Sequence, residues 1–277
     1  MTVPGTVASG SVGLALGGGA ARGLAHIGVL KVLQEEGIPI DFIAGTSAGS
    51  LVGAAFAAGL SWRDILETAR GIDWLDIASP VFPRMGLMKM DRLQNLLERT
   101  LGERTFDSLS IPLSIVTVDI VSGDQIVLCG GSVARAVRAS CSIPGIFEPV
   151  VEGAQRLVDG GLLNNMPVDV VRHMGAETVI GVDLSSDRRH VDPPRNMLDV
   201  LLYSFDTLVD NNARRSFEST DIIITPQLDG YSPRDFRKID ELVALGEKSM
   251  QTKLGVLRET LATNDHAYLG KSGIQGG

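Results

Sequence analysis

The sequence predicts an α/β fold in three layers, a mainly parallel central sheet with helices on both faces, and three local patterns carry that prediction. Residues 12–16 are an apolar run that stops at Gly17-Gly18-Gly19, after which Leu24, Ile27, Val29, Leu30 and Leu33 recur at helical spacing. Residues 40–44 form a second apolar run, entering Gly45-Thr46-Ser47-Ala48-Gly49 and then an alanine-rich segment, 50–58. Further apolar runs at 178–184 and 222–225 supply more strands. Strand, glycine turn and helix, twice in succession, is the pattern of parallel strands joined by covering helices, a class whose ligands bind at the carboxyl ends of the strands.

The remaining elements follow from local chemistry. Gly37 closes the first helix as a C′ residue and Pro39 prevents its continuation; Gly59 closes the second. Residues 91–101 have amphipathic helical spacing, 113–121 and 125–128 flank a Ser122-Gly123-Asp124 hairpin turn, 132–139 are helical, and 156–158 form a strand leading into Asp159-Gly160-Gly161. A C-terminal helix is expected over 240–261. From residue 262 the periodicity fades, so one domain is expected over 1–261 and a mobile tail over 262–277.

Composition narrows the function. With 25 Lys and Arg against 33 Asp and Glu, the net charge of −8 opposes attraction to nucleic acid or anionic bilayers. The apolar stretches stop short of the ~18 residues that a membrane helix needs, so membrane contact is expected to be peripheral, at the inner face. Residues 1–11 lack the pattern of a secretory signal, and Cys129 and Cys141 stand outside any CxxC, which suits reduced thiols in the cytoplasm. No calcium loop or metal-ligand cluster is evident, so no cofactor is expected.

Two glycine turns carry the chemistry. In Gly45-Thr46-Ser47-Ala48-Gly49, the flanking glycines permit a strained elbow that presents Ser47 Oγ, exposed, at a helix N-terminus, where partial positive charge favours a developing oxyanion. Gly17-Gly18-Gly19-Ala20-Ala21-Arg22-Gly23 opens onto the same sheet edge, and its successive amides suit an oxyanion hole. Arg22 either supports that loop through a carboxylate or merely covers the helix. The loop fails as a dinucleotide fingerprint, since Arg22 stands where glycine is required, and it lacks the Gly-Lys-Ser/Thr ending of a phosphate loop. A serine triad needs a histidine, but His26 lies inside a helix, His173 near a helix end, His190 in a charged loop and His266 in the tail.

GGGAARG, GTSAG and DGG, in that order within the first 161 residues, resemble the three signatures of patatin-like phospholipases. ASCSIPGIF, residues 139–147, resembles the family block between elbow and aspartate, although Glu148 stands where the family often has proline. The resemblance implies a hydrolase of lipid acyl esters working without histidine. Ser47 is then the nucleophile, Asp159 the base, and Gly17, Gly18 and Gly19 the oxyanion loop, with Arg22 and Gly23 in its support and Gly45 and Gly49 shaping the elbow. Aspartate, at a pKa of about 3.9 against about 6.5 for histidine, is a weak base in water, so partial burial is expected to raise the Asp159 pKa. Residues 79–90, methionine-rich and broken by prolines, form either a wall for an acyl chain or a loop folded into the core. A thioesterase or protein deacylase using the same two residues, a non-catalytic lipid-binding protein, and a histidine-dependent hydrolase relying on His173 or His190 are the alternatives. The expected partner is a lipid or acyl-ester substrate, with self-association left open.

Overall fold

The computed structural model describes residues 10–72, 77–82, 84–185 and 193–272, with side chains to residue 263. The strands are β1 (Val12–Leu16), β2 (Phe42–Thr46), β3 (Ser79–Pro80), β4 (Gly86–Lys89), β5 (Leu113–Asp119), β6 (Asp124–Leu128), β7 (Gly145–Phe147), β8 (Val150–Glu152), β9 (Gln155–Asp159), β10 (Thr178–Val182) and β11 (Ile222–Ile224). The helices are α1 (Ala25–Glu35), α2 (Ala48–Ala57), α3 (Trp62–Arg70), α4 (Asp91–Leu101), α5 (Val133–Ser140), α6 (Val168–Met174), α7 (Met197–Arg215) and α8 (Ile239–Ser272).

The main sheet runs β11-β10-β1-β2-β5-β9-β8, with β6 also paired to β5. Its first five strands are parallel; β6, β8 and β9 are antiparallel to their neighbours. Successive side chains of a strand point to opposite faces, and the core divides accordingly. Leu14, Leu16 and Ile43 pack with α1, α2 and α8, whereas Ala15, Ala44 and Val116 pack with α6 and with Ala213 of α7. The predicted three-layer α/β architecture is what the chain adopts.

Register on β5 determines where the site lies. Val116 pairs with Thr46 of β2 and Val127 of β6, while Thr117 pairs with Asp159 of β9 and Ile126 of β6. Since β6 occupies one edge of β5 from Ile115 to Asp119, where both β2 and β9 also pair with β5, β2 and β9 must share the other. The parallel β2 ends at Thr46 and the antiparallel β9 ends at Asp159, at consecutive β5 positions. The two strand ends therefore meet head on, and each is followed by a turn rich in glycine.

Elements differ from expectation in instructive places. The C-terminal helix does not stop at residue 261: its backbone runs to Ser272, because no proline intervenes and the first glycine after 261 is Gly270. Residues 273–277 lie outside the described residues. The 79–90 segment carries two short strands that the sequence reading did not foresee. It forms a β3–β4 hairpin beside β7, burying Ala78 and Met90 but leaving Phe82 and Met85 exposed. Helix α3 was not foreseen, although Ser61 and Asp64 form a reciprocal capping box.

Helices α1 and α8 cross at backbone contact: a Cβ at Gly28 would sit 1.9 Å from Val243 O, and one at Gly246 1.9 Å from Ala25 O. On the same helix Gly255 is exposed with nothing near its missing Cβ. Opposite outcomes are expected in urea unfolding. Gly246→Ala should lose ~2 kcal/mol or more by forcing the helices apart, whereas Gly255→Ala should gain ~0.5–1 kcal/mol from helix propensity.

Candidate active site

Ser47 sits at the junction of β2 and α2 with φ 51° and ψ −122°, a positive φ that a non-glycine residue adopts at a cost of ~1–3 kcal/mol. Close packing enforces it. A Cβ at Gly45 would lie 2.6 Å from Ser50 Cα, and one at Gly49 2.1 Å from Leu16 O, so only glycine lets helix and strand meet so closely. The Ser47 amide donates to Ser140 Oγ at 2.8 Å, and that hydroxyl donates to Val116 O at 2.6 Å. Ser50 Oγ donates to Ser47 O at 2.6 Å. Contrary to expectation, Ser47 is not exposed: it retains 9% of its accessible surface, because the triple-glycine loop packs against it.

Asp159 is fully buried, not partly. Its Oδ1 accepts from Gly161 N–H at 2.9 Å, its own amide donates to Ser142 O at 2.9 Å, and its Oδ2 has no hydrogen-bond partner among the described residues. Burial pushes its pKa up to about 7, opposed by the adjacent Ser47 hydroxyl and by the Gly161 amide. Ser47 is thus close enough to favour the carboxylate without closing a hydrogen bond to Oδ2. The Cys141 thiol lies among the same groups; burial and the Asp159 charge raise its pKa, keeping it a neutral thiol.

The triple-glycine loop lies against this pair, a Cβ at Gly18 falling 3.0 Å from Ser47 Cβ. Its amides are not equivalent, which corrects the expectation that all three are free to hold an oxyanion. Gly17 N–H donates to Val182 O at 3.1 Å, and Gly18 N–H to Asn165 Oδ1 at 3.1 Å and Asn165 O at 3.3 Å. Both extend the β10 and β9 turns and are consumed in doing so. Among the described residues, the amides of Gly19 and of Ala20, which has φ 50°, find no partner.

Arg22 does more than cover a helix. Only 1% exposed, it donates from Nε to Gly19 O at 3.3 Å and from Nη2 to Asp206 Oδ1 on α7 at 3.3 Å. Gly23 makes room for Ala48, whose Cβ would lie 2.4 Å from a side chain there.

His26 is buried, with Nε2 2.7 Å from Gly17 O. Desolvation lowers its pKa to about 4, so it is neutral and its Nε2–H donates to that carbonyl. His173 bonds to Asp169 O within its own helix; His190 lies outside the described residues, and nothing is described of the His266 side chain. No described histidine hydrogen-bonds Ser47 or Asp159.

The sequence reading missed Ser140, Asn165 and Asn212. Asn212 of α7 donates to Gly161 O at 3.1 Å and Leu162 O at 2.6 Å, fixing the turn after the aspartate. Asn164-Asn165 just before Met166-Pro167 had only its polarity to mark it in an otherwise apolar stretch.

A family model described as patatin-like phospholipase matches residues 14–172, more than half of the chain, and takes in both glycine turns, Ser47 and Asp159. The chain belongs to the patatin-like phospholipase family. An uncharacterized NTE family protein of Mycobacterium tuberculosis is 35% identical over 276 residues, covering 90% of this chain and 47% of that relative. Human patatin-like phospholipase domain-containing protein 6 is 37% identical over 186 residues, 64% of this chain and 13% of its own length. The chain thus spans about half or less of these relatives. Among solved structures, VipD from Legionella pneumophila superposes with a TM-score of 0.65 at 15% identity, over 90% of this chain and 67% of that one, a likeness of fold. Among the described residues no helix is long and apolar enough to cross a membrane.

The raised Asp159 pKa sets a stability test. A carboxyl whose folded pKa lies above its unfolded value stabilises the fold fully below about 3.8, and that contribution is lost as pH rises through about 7. Asp159→Asn keeps an acceptor for Gly161 N–H and removes the charge. Its melting temperature relative to wild type should rise between pH 4 and pH 8; a difference independent of pH would mean that the carboxyl is not perturbed.

Proposed function

We propose that the chain is a serine acyl hydrolase in which a Ser47–Asp159 dyad cleaves lipid acyl esters through an acyl-enzyme. The observation that carries this reading is a dry carboxyl, its pKa near 7 and one oxygen unpartnered, lying beside a hydroxyl on a strained strand-to-helix turn. Such a pKa matches the proton affinity that histidine brings to a triad, at about 6.5. Family membership and a core without a described histidine partner for Ser47 point the same way.

Ser47 Oγ attacks the ester carbonyl as its proton passes to Asp159 Oδ2, the oxygen not already engaged by Gly161. Gly161 N–H on Oδ1 fixes the carboxyl plane and leaves Oδ2 open to take the proton. The oxyanion of the tetrahedral intermediate takes two loop amides that have no partner among the described residues, Gly19 N–H and Ala20 N–H, supported by the N-terminal end of α2. Asp159 returns the proton to the leaving alcohol. Water then attacks the acyl-enzyme with the same carboxylate as base, releasing a fatty acid and restoring Ser47. All of this uses side chains and amides of the chain itself.

Ser47→Ala should abolish hydrolysis of a short-chain p-nitrophenyl ester and labelling by a fluorophosphonate probe while circular dichroism is unchanged; turnover retained by the variant would rule out the dyad. Failure of folded wild type to label would instead favour a non-catalytic lipid-binding role. For wild type, kcat/KM should rise with pH to a plateau, its midpoint near the Asp159 value of about 7, since only the carboxylate accepts the proton. Comparing lysophospholipid, acyl thioester and simple ester at that plateau tests the substrate class, with the lipid ester expected to be preferred.

A further inference from the structure

We infer that Asn165 is a positioning residue for the oxyanion site, aiming the Gly19 amide by gripping the peptide on its far side. The inference rests on the hydrolase reading above. Asn165 is 1% exposed and closes a two-sided contact with Gly18: Oδ1 accepts from Gly18 N–H at 3.1 Å and Nδ2 donates to Gly18 O at 3.4 Å. Gly18 O and Gly19 N–H belong to one peptide unit, and in a planar trans peptide the two point in opposite directions. Pulling Gly18 O toward Asn165 therefore turns Gly19 N–H away from Asn165, leaving it without a protein partner among the described residues. Glycine at 17, 18 and 19 gives the loop wide torsional freedom, so without this hold the free amide would have no fixed direction.

The neighbouring planes are held by the same device. His26 Nε2 holds Gly17 O at 2.7 Å, and Arg22 Nε holds Gly19 O at 3.3 Å. Those contacts come from the loop's own side of the chain. Asn165 differs because it stands six residues after Asp159, on the turn that carries the base. Thr46 Oγ1 donates to Asn164 O at 2.9 Å, so the residue preceding the nucleophile anchors the backbone from which Asn165 projects. A Cβ at Gly161 would lie 3.1 Å from Asp159 Oδ1 and 3.3 Å from Asn165 Oδ1, so the carboxyl and the amide clamp share one small space. Base, nucleophile and oxyanion donor are thereby set relative to one another by Asn165.

The test separates aiming from mere support. A trifluoromethyl ketone adds to a nucleophilic serine: the Ser47 Oγ–carbon bond forms, the carbonyl π pair moves to oxygen, the proton passes to Asp159, and the new oxyanion needs the loop amides. Asn165→Asp keeps the acceptor for Gly18 N–H and removes the donor to Gly18 O; Asn165→Ala removes both. Each should lower kcat ~10²–10³-fold with KM little changed, and weaken the ketone by the same factor. Full kcat, or a loss confined to KM with ketone affinity intact, would overturn the inference. Wild-type enzyme labelled with ¹⁵N supplies a measurement that requires no variant: on ketone binding the Gly19 amide proton should move strongly downfield while those of Gly17 and Gly18 stay in place. Movement of Gly17 or Gly18 instead overturns it even if the variants fail to fold. Wild type that neither turns over the ester nor binds the ketone would overturn the hydrolase reading itself. Active wild type with unaffected Asn165 variants would sink only the clamp.

Discussion

Two strands sharing one edge of β5 is the constraint from which the rest of this site follows. Because β2 and β9 run toward each other along that edge and stop at consecutive positions, the residues just past their ends have nowhere to go but the same small volume. Gly160 is required there, since a Cβ would sit 2.3 Å from Val116 O. The crowding that brings Ser47 to Asp159 is also what removes water from the carboxyl, and the loss of water is the largest cause of its raised pKa. Proximity and basicity are two results of one strand arrangement.

Crowding of this kind leaves little room for side chains, so the site is held chiefly through the main chain. Ser140 Oγ takes the Ser47 amide, Ser142 O takes the Asp159 amide, and these lie on one short stretch at the end of α5. Cys141 between them fills the gap as an apolar group, its thiol kept neutral. On the opposite side Asn212 and Asp206 of α7 reach the DGG turn and Arg22. A buried polar group without a partner costs ~1–3 kcal/mol, and nearly every one here is satisfied. The exceptions among the described residues are therefore informative: besides His26 Nδ1 they are Asp159 Oδ2, a proton acceptor, and the Gly19 and Ala20 amides, which are donors, and the proposed chemistry needs one group of each kind.

Much of this was legible in the sequence, for identifiable reasons. Period and punctuation gave β1, α1, β2 and α2 within a few residues, because a buried parallel strand bounded by glycine has few competing readings. The glycines at 45 and 49 announced a close approach of strand and helix, and the chain makes it there. What stayed hidden was partnership across long separations. Nothing local distinguishes the committed amides of Gly17 and Gly18 from the free one of Gly19, since the partners Val182 and Asn165 are about 150 residues away. Ser47 was expected to be exposed because an elbow is defined by its own turn, whereas its burial comes from the neighbouring loop. Ser140 looked like one small residue among several, and its pairing with the Ser47 amide depends on where α5 ends relative to β5.

The proposed chemistry asks opposed things of one pocket. A carboxyl with a pKa near 7 needs dryness, and a nucleophile with 9% of its surface accessible is nearly sealed. Deacylation nevertheless needs a water molecule at the ester carbon. A cavity lined by Gly71, Ile72, Arg92, Asn95, Leu96 and Arg99 touches none of the site residues, so it does not resolve the conflict. Resolution must come from substrate itself. In the proposed mechanism an ester entering the site would displace what covers Ser47, and its departing alcohol would leave room beside Asp159 for the water of the second step. Dryness then holds while the serine proton moves, and water enters only after the acyl bond to Ser47 has formed.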